Sequence, residues 1–216
     1  MLISVTISLI GLFLLFINSV LFFKSRKDKD IVYRYIMYYL MIQFAVELCC
    51  NIIGILYPNE NFFLSHYYFV IQFIMLSLFF FQLFKNKLLK NLVYINLGIV
   101  VLILAFQYYQ TPSLYWKFNN FEIGTTSILL ILYSIVYFYE NLKESYKYHF
   151  FCYGLTFYLM SSCLIFLTGN TQLVFMTEPF YLDIWIFNSL FFILFQILIF
   201  KEWQFLVKKE KQIEDY

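Results

Sequence analysis

Gln43, Glu47 and Asn51 stand four residues apart in the stretch MIQFAVELCCNIIG, so on a helix they form one polar stripe. Glu47 has no Lys or Arg within ten residues on either side. An acid at the centre of a bilayer costs about 2.5–3.5 kcal/mol on insertion scales, so Glu47 must face other helices and either find a partner or take up a proton. That chemistry is ligand binding or proton binding. The alternative is a neutral Glu47 bridging to Gln72 or Asn188 as interhelical glue, worth about 0.6–2 kcal/mol.

Gln72, Ser161, Ser162, Asn188 and Ser189 fall at similar depths in other apolar segments. Glu47, Gln43, Asn51, Gln72, Asn188 and Ser162 are therefore the candidate ligand or proton site. His66, Glu122, Thr125 and Asp183 lie nearer the same end of their segments. Glu47 reads as the one buried acid, with no basic partner in the spans, and this counts against an ion pathway. His149 beside Lys147 and Tyr148 reads as interfacial, and Cys49 and Cys50 as small apolar packers.

The elements that position these residues follow from composition. Of 216 residues, 62% are hydrophobic and only 13% charged, against about 25% charged in a soluble domain. The charges cluster between apolar runs, which is the pattern of a multi-pass membrane protein. The 29 Phe and 20 Tyr, beside only two Ala and two Arg, are read as an AT-rich coding bias rather than a cofactor box. A membrane-spanning helix needs about 20 apolar residues. Seven segments qualify: 2–23, 33–56, 62–84, 91–109, 121–139, 149–170 and 181–202, leaving 203–216 as a short tail. The fold class is an all-α seven-helix bundle. The first run lacks a basic leader and an A-x-A site, so it reads as a span and not as a signal peptide.

Fourteen of the fifteen Lys and Arg residues fall in the first, third and fifth connections, at their edges, or in the tail, and only Lys117 falls on the other side. The positive-inside rule then places the N-terminus outside and the C-terminus in the cytoplasm. The expected location is a bacterial cytoplasmic membrane. Trp203, Phe205 and Leu206 beside Lys208 and Lys209 suit an interfacial extension of the last helix. All three prolines (Pro58, Pro112, Pro179) lie in connections on the Lys-poor side, so straight helices are expected.

Internal similarity suggests a 3+1+3 parallel repeat. Leu14 to Phe23 resembles Leu129 to Phe138, Tyr33 to Cys50 resembles Tyr146 to Cys163, and Asn59 to Phe69 resembles Thr177 to Phe187. Duplication and shared apolar composition both explain this, and the two readings stay open. The same plan occurs in small sugar and vitamin transporters and has been proposed for opsin-like receptors, which does not choose a function.

No catalytic residues, cofactor motif or metal spacing emerges: there is no G-x-S-x-G, no H-E-x-x-H and no glycine-rich phosphate loop. Four features together resemble a family of small seven-span proteins of Bacteroidota without assigned activity. They are AVELCCN, the Tyr67-Tyr68-Phe69 opening of the third span, GTTSILLILYSI and GLTFYLMSS. The chain also looks distantly like the membrane sensor modules that precede kinases. The resemblance implies no catalytic residues. The expected function is a sensor or adaptor module. Its partners would be membrane lipids and a separate protein at the basic cytoplasmic face, with no nucleic acid, and its oligomeric state is left open. The rival is a small-solute transporter or channel.

Overall fold

The computed structural model describes residues 2–27, 29–57, 61–141, 147–168, 174–176 and 182–214. Seven helices run through them: α1 (Leu2–Lys24), α2 (Ile31–Leu56), α3 (Leu64–Leu83), α4 (Lys87–Gln110), α5 (Asn120–Glu140), α6 (His149–Leu167) and α7 (Ile184–Glu214). All seven are long and apolar enough to cross a membrane, and the chain is a multi-pass membrane protein. Helices are the expected solution, because a backbone in hydrocarbon must satisfy its own hydrogen bonds.

Local chemistry marks where several of them start. Asp30 accepts from the Tyr33 amide at 2.8 Å and caps α2. Asn86 accepts from Leu88 at 2.8 Å and caps α4. Asn119 accepts from Phe121 and Glu122 at 3.2 and 3.3 Å and caps α5. Each side chain satisfies amides that a helix leaves orphaned at its first turn.

Two helices differ most from the hydropathy reading. Helix α4 begins at Lys87, where the Asn86 cap starts it, instead of at 91. Helix α7 begins at Ile184 and continues to Glu214, through the segment read as a tail. Charged helix formers such as Lys and Glu sustain a helix as well as apolar ones do, so the end of the hydropathy signal is not the end of the helix. Before α7, Val174–Met176 (β1) and Leu182–Asp183 (β2) pair antiparallel, with Val174 opposite Asp183. A 3-10 turn, Pro112–Trp116, joins α4 to α5. The prolines Pro58 and Pro179 lie outside the described residues.

The bundle has two unlike ends. The Lys-rich end carries the α1–α2, α3–α4 and α5–α6 connections and the end of α7. The Lys-poor end carries the N-terminus and the other connections. Six helices close a ring in the order α1, α2, α3, α5, α6, α7 and back to α1. Helix α4 stands outside this ring, packed mainly on α3. It buries only Val93, Val100 and Leu104, one stripe, while Leu88, Tyr94, Leu102, Phe106 and others around it are exposed.

Lipid is as apolar as leucine, so close packing and interhelical hydrogen bonds must hold such a ring together. Phe73, Phe79, Phe80, Phe151 and Phe195 are fully buried in its core. Of the Phe79–Phe81 triplet, two rings are core and the third is half-buried. Gly154 lets α6 approach α7: a Cβ there would stand 2.9 Å from Phe195 Cδ2 and 3.0 Å from Leu198 Cβ. Asn18 of α1 donates to the Gln196 backbone and side-chain oxygens of α7 at 2.8 and 3.0 Å. Ser19 donates to the Leu40 carbonyl at 3.1 Å, joining α1 to α2.

At the Lys-rich end a polar network locks four helices. Glu202 of α7 is fully buried. Its Oε1 accepts from the Tyr148 amide at 2.8 Å, and its Oε2 from Phe150 and Phe151 at 2.8 and 3.2 Å. One carboxylate thus caps α6 from another helix, where an anion also meets the positive end of the helix dipole. Tyr148 takes the left-handed conformation, with φ 65°, that turns its amide toward Glu202. Its hydroxyl donates to Asp30 Oδ1 at 2.8 Å, and Lys147 reaches Asp30 Oδ2 at 3.5 Å. Burial first, and then the Asp30 carboxylate, push the Tyr148 phenol well above its ordinary range, so it remains a donor. Tyr137 of α5 donates to the Lys147 carbonyl at 2.7 Å.

Candidate functional site

Tyr39, Gln43 and Glu47 follow one another at four-residue intervals on α2, and Tyr39 and Gln43 are buried. Gln72 of α3 donates from Nε2 to the Tyr39 hydroxyl at 3.1 Å. The hydroxyls of Tyr68 on α3 and Tyr158 on α6 share a hydrogen bond of 2.7 Å, with Ser162 one turn along from Tyr158. The Glu47 carboxylate is within electrostatic reach of all three phenols. Helices α2, α3 and α6 thus bring Gln43, Glu47, Gln72 and Ser162 to a common polar interior, together with Tyr39, Tyr68 and Tyr158.

This interior is under-satisfied. Both amide atoms of Gln43 lack a protein hydrogen-bond partner although its side chain is 0% exposed. The Ser162 hydroxyl, 2% exposed, lies beside the Tyr158 phenol. A buried polar group left unmade costs about 1–3 kcal/mol, so the two open amide atoms of Gln43 require an explanation. Among the described residues, no side chain donates to the half-buried Glu47 carboxylate.

The other candidate residues lie apart. Asn51 donates to the Glu47 backbone carbonyl at 2.9 Å and accepts from Ser8 Oγ at 3.0 Å, so it ties α2 to α1. Asn188 is half-buried with an unpartnered Oδ1, and no contact joins it to Glu47. The bridge considered from Glu47 to Gln72 or Asn188 is not formed, because Gln72 gives its amide to Tyr39 instead.

A second polar cluster lies at the Lys-poor end. His66 of α3 and Glu122 of α5 are buried, with Nδ1 and Oε1 3.2 Å apart. The Tyr108 hydroxyl of α4 is 2.7 Å from His66 Nδ1 and 2.5 Å from Glu122 Oε2. His66 Nε2 is 3.2 Å from the Tyr115 carbonyl, which can only accept, so Nε2 carries a hydrogen. Nδ1 then either accepts from Tyr108 or, on the protonated ring, donates to Glu122. Asn119 fixes the phenol, donating to its oxygen at 3.2 Å and to Gln107 at 3.0 Å. The imidazole, the phenol and the carboxylate thus form one hydrogen-bonded cluster that joins α3, α4 and α5.

Two expectations are corrected here. Glu47 is not the one buried acid: Glu122 and Glu202 are both fully buried. A basic partner also exists within the spans, His66 against Glu122. Hydropathy misplaced both acids because Glu122 lies in the first turn of α5 and Glu202 where the apolar run of α7 stops, and tertiary packing covers them there. A local signal for Glu122 was present: Asn119-x-x-Glu122 is a helix-start pattern. Tyr39, Tyr68, Tyr108 and Tyr158 carried none, since 20 tyrosines make any one inconspicuous.

Among the described residues, no group of three or more His, Cys, Asp or Glu side chains is placed to hold a metal ion. Cys49, Cys50, Cys152 and Cys163 are all free. Comparison with protein-family models, with curated proteins and with solved structures finds no match to this chain.

Proposed function

We propose that the protein is a sensor or adaptor module of a bacterial cytoplasmic membrane, with its N-terminus outside and its C-terminus inside. Its polar interior around Glu47 takes a small polar ligand or a proton. The carrying observation is the under-satisfied face of α2: a fully buried Gln43 without partners, one turn from an acid to which no side chain donates. A ligand or proton bound there would complete hydrogen bonds that the protein leaves open.

Two features support readout toward a cytoplasmic partner. The Lys-rich end, cytoplasmic by the positive-inside rule, is closed by the satisfied Glu202 network. Helix α7 spans 31 residues, about 46 Å at 1.5 Å per residue, against a hydrocarbon core of about 30 Å. The helix is therefore about 16 Å longer than the hydrocarbon core, and its last turns, beyond the buried Leu206, serve as a handle for a separate protein. The test is a pull-down in mild detergent from native membranes with three proteins: wild type, Glu47→Gln and a chain ending at Val207. The expected result is one enriched protein, lost at least tenfold on truncation and changed at least threefold by Glu47→Gln. No enriched protein, with truncation changing nothing, would end this reading.

The six-helix ring favours a second reading, a small-solute transporter. Exchanging α1, α2 and α3 with α5, α6 and α7 leaves the order of neighbours in the ring unchanged, with α4 outside it as the linker of a 3+1+3 repeat. That reading predicts flux in proteoliposomes, altered by Glu47→Gln; no flux across a broad panel of ions and small solutes would exclude it.

A further inference from the structure

A cleft of about 520 Å³ opens at the Lys-rich end between the end of α1 and the first turns of α2. Lys24, Arg26, Lys27 and Arg34 line it, with Met37 and Tyr38 completing the wall. From this cleft we infer a second binding site, for a phosphate-bearing anion and first of all the phosphodiester headgroup of an anionic lipid.

Four cations share the cleft, and none forms an ion pair with a described acid. Asp30, the described acid of this connection, is engaged by Tyr148, Lys147 and the Tyr33 amide. The other acid of this connection, Asp28, lies outside the described residues. Arg26 is already oriented: its Nη1 donates to the Phe23 carbonyl at 2.8 Å and its guanidinium lies 3.7 Å over the Phe23 ring. Most of its remaining N–H groups are left for an oxygen-rich ligand, and a guanidinium fork matches phosphate geometry. Placing four like charges together costs repulsion that an anion relieves.

The surroundings favour a lipid over a soluble phosphate. Phe23, Ile31 and Tyr38, on the two helices that form the cleft, are all exposed to more than two-fifths of their full area. Cations beside exposed apolar and aromatic groups at a helix end suit a headgroup with acyl chains alongside. The cleft involves neither Glu47 nor the end of α7, so this site stands independently of the sensor reading.

The test compares three proteins in lipid nanodiscs. They are wild type, the double variant Arg26→Gln with Arg34→Gln, and a charge-matched control, Lys87→Gln with Lys90→Gln. All four positions are partly or fully exposed at helix ends, and size-exclusion profiles verify folding. Native mass spectrometry counts phosphatidylglycerol retained against phosphatidylcholine, with and without inorganic phosphate or glycerol 3-phosphate. The expected result is preferential phosphatidylglycerol retention that falls about tenfold in the cleft variant and less than twofold in the control. Displacement by millimolar glycerol 3-phosphate would keep the phosphate site and assign it to a soluble ester. Equal retention of both lipids by wild type with no phosphate effect, or equal losses in both variants, would overturn the inference.

Discussion

Glu202 and Glu47 are both acids inside a ring of apolar helices, yet their surroundings are opposite. Glu202 has three backbone amides directed at its two oxygens, at the start of a helix whose dipole favours an anion. Glu47 receives no hydrogen bond from any described side chain, and its neighbour Gln43 is equally unserved. Glu202 therefore has a complete structural role, joining α7 to α6. Glu47 has none that its contacts account for. Burial alone does not identify a functional acid in a membrane bundle. The informative quantity is how much of its hydrogen-bonding capacity the fold has already used. Glu122 stands between the two, bound to His66 and Tyr108 in an arrangement with more than one proton placement.

The comparison is broken most sharply at Glu202. Replacement by Ala leaves three amides at the α6 start without acceptors, and the expected loss is about 3–4 kcal/mol, read from reversible unfolding in mixed detergent. A loss below 1 kcal/mol would mean that water replaces the carboxylate and that the cap is incidental. Gly154→Ala is next. Its methyl group would meet Phe195 and Leu198 at the α6–α7 contact that Glu202 also holds. The expected cost is about 1–3 kcal/mol from overpacking. Tyr148→Phe removes the hydroxyl bond to Asp30 and leaves the amide bond to Glu202 intact. It should cost about 1–2 kcal/mol, and a double-mutant cycle with Asp30→Asn should show most of that as coupling.

The seven helices were legible because a bilayer demands about 20 apolar residues per crossing and the chain supplies seven such runs. The place of α4 outside the ring was not legible. Hydropathy fixes length, whereas the side of a helix that meets its neighbours depends on packing, and α4 is apolar nearly all round. At the site, sequence spacing brought out Gln43 and Glu47, and the structure adds the tyrosines that line the same interior. Asn51 shares that spacing, but the one-residue reach of its amide lets it bond the preceding turn and Ser8 of α1. Glu202 was hidden beside Lys201, in a stretch that reads as membrane boundary.

The most direct measurement compares Glu47→Gln with Glu202→Gln in one unfolding series under identical detergent conditions. Glutamine keeps the size of the side chain and removes one acceptor oxygen and the charge. At Glu202 its NH2 group would face a backbone donor, so this variant should lose about 2 kcal/mol. Glu47→Gln should stay within about 0.5 kcal/mol of wild type, since no hydrogen bond is removed. A Glu47→Gln loss as large as that of Glu202→Gln would contradict the account, because it would make Glu47 a second structural anchor.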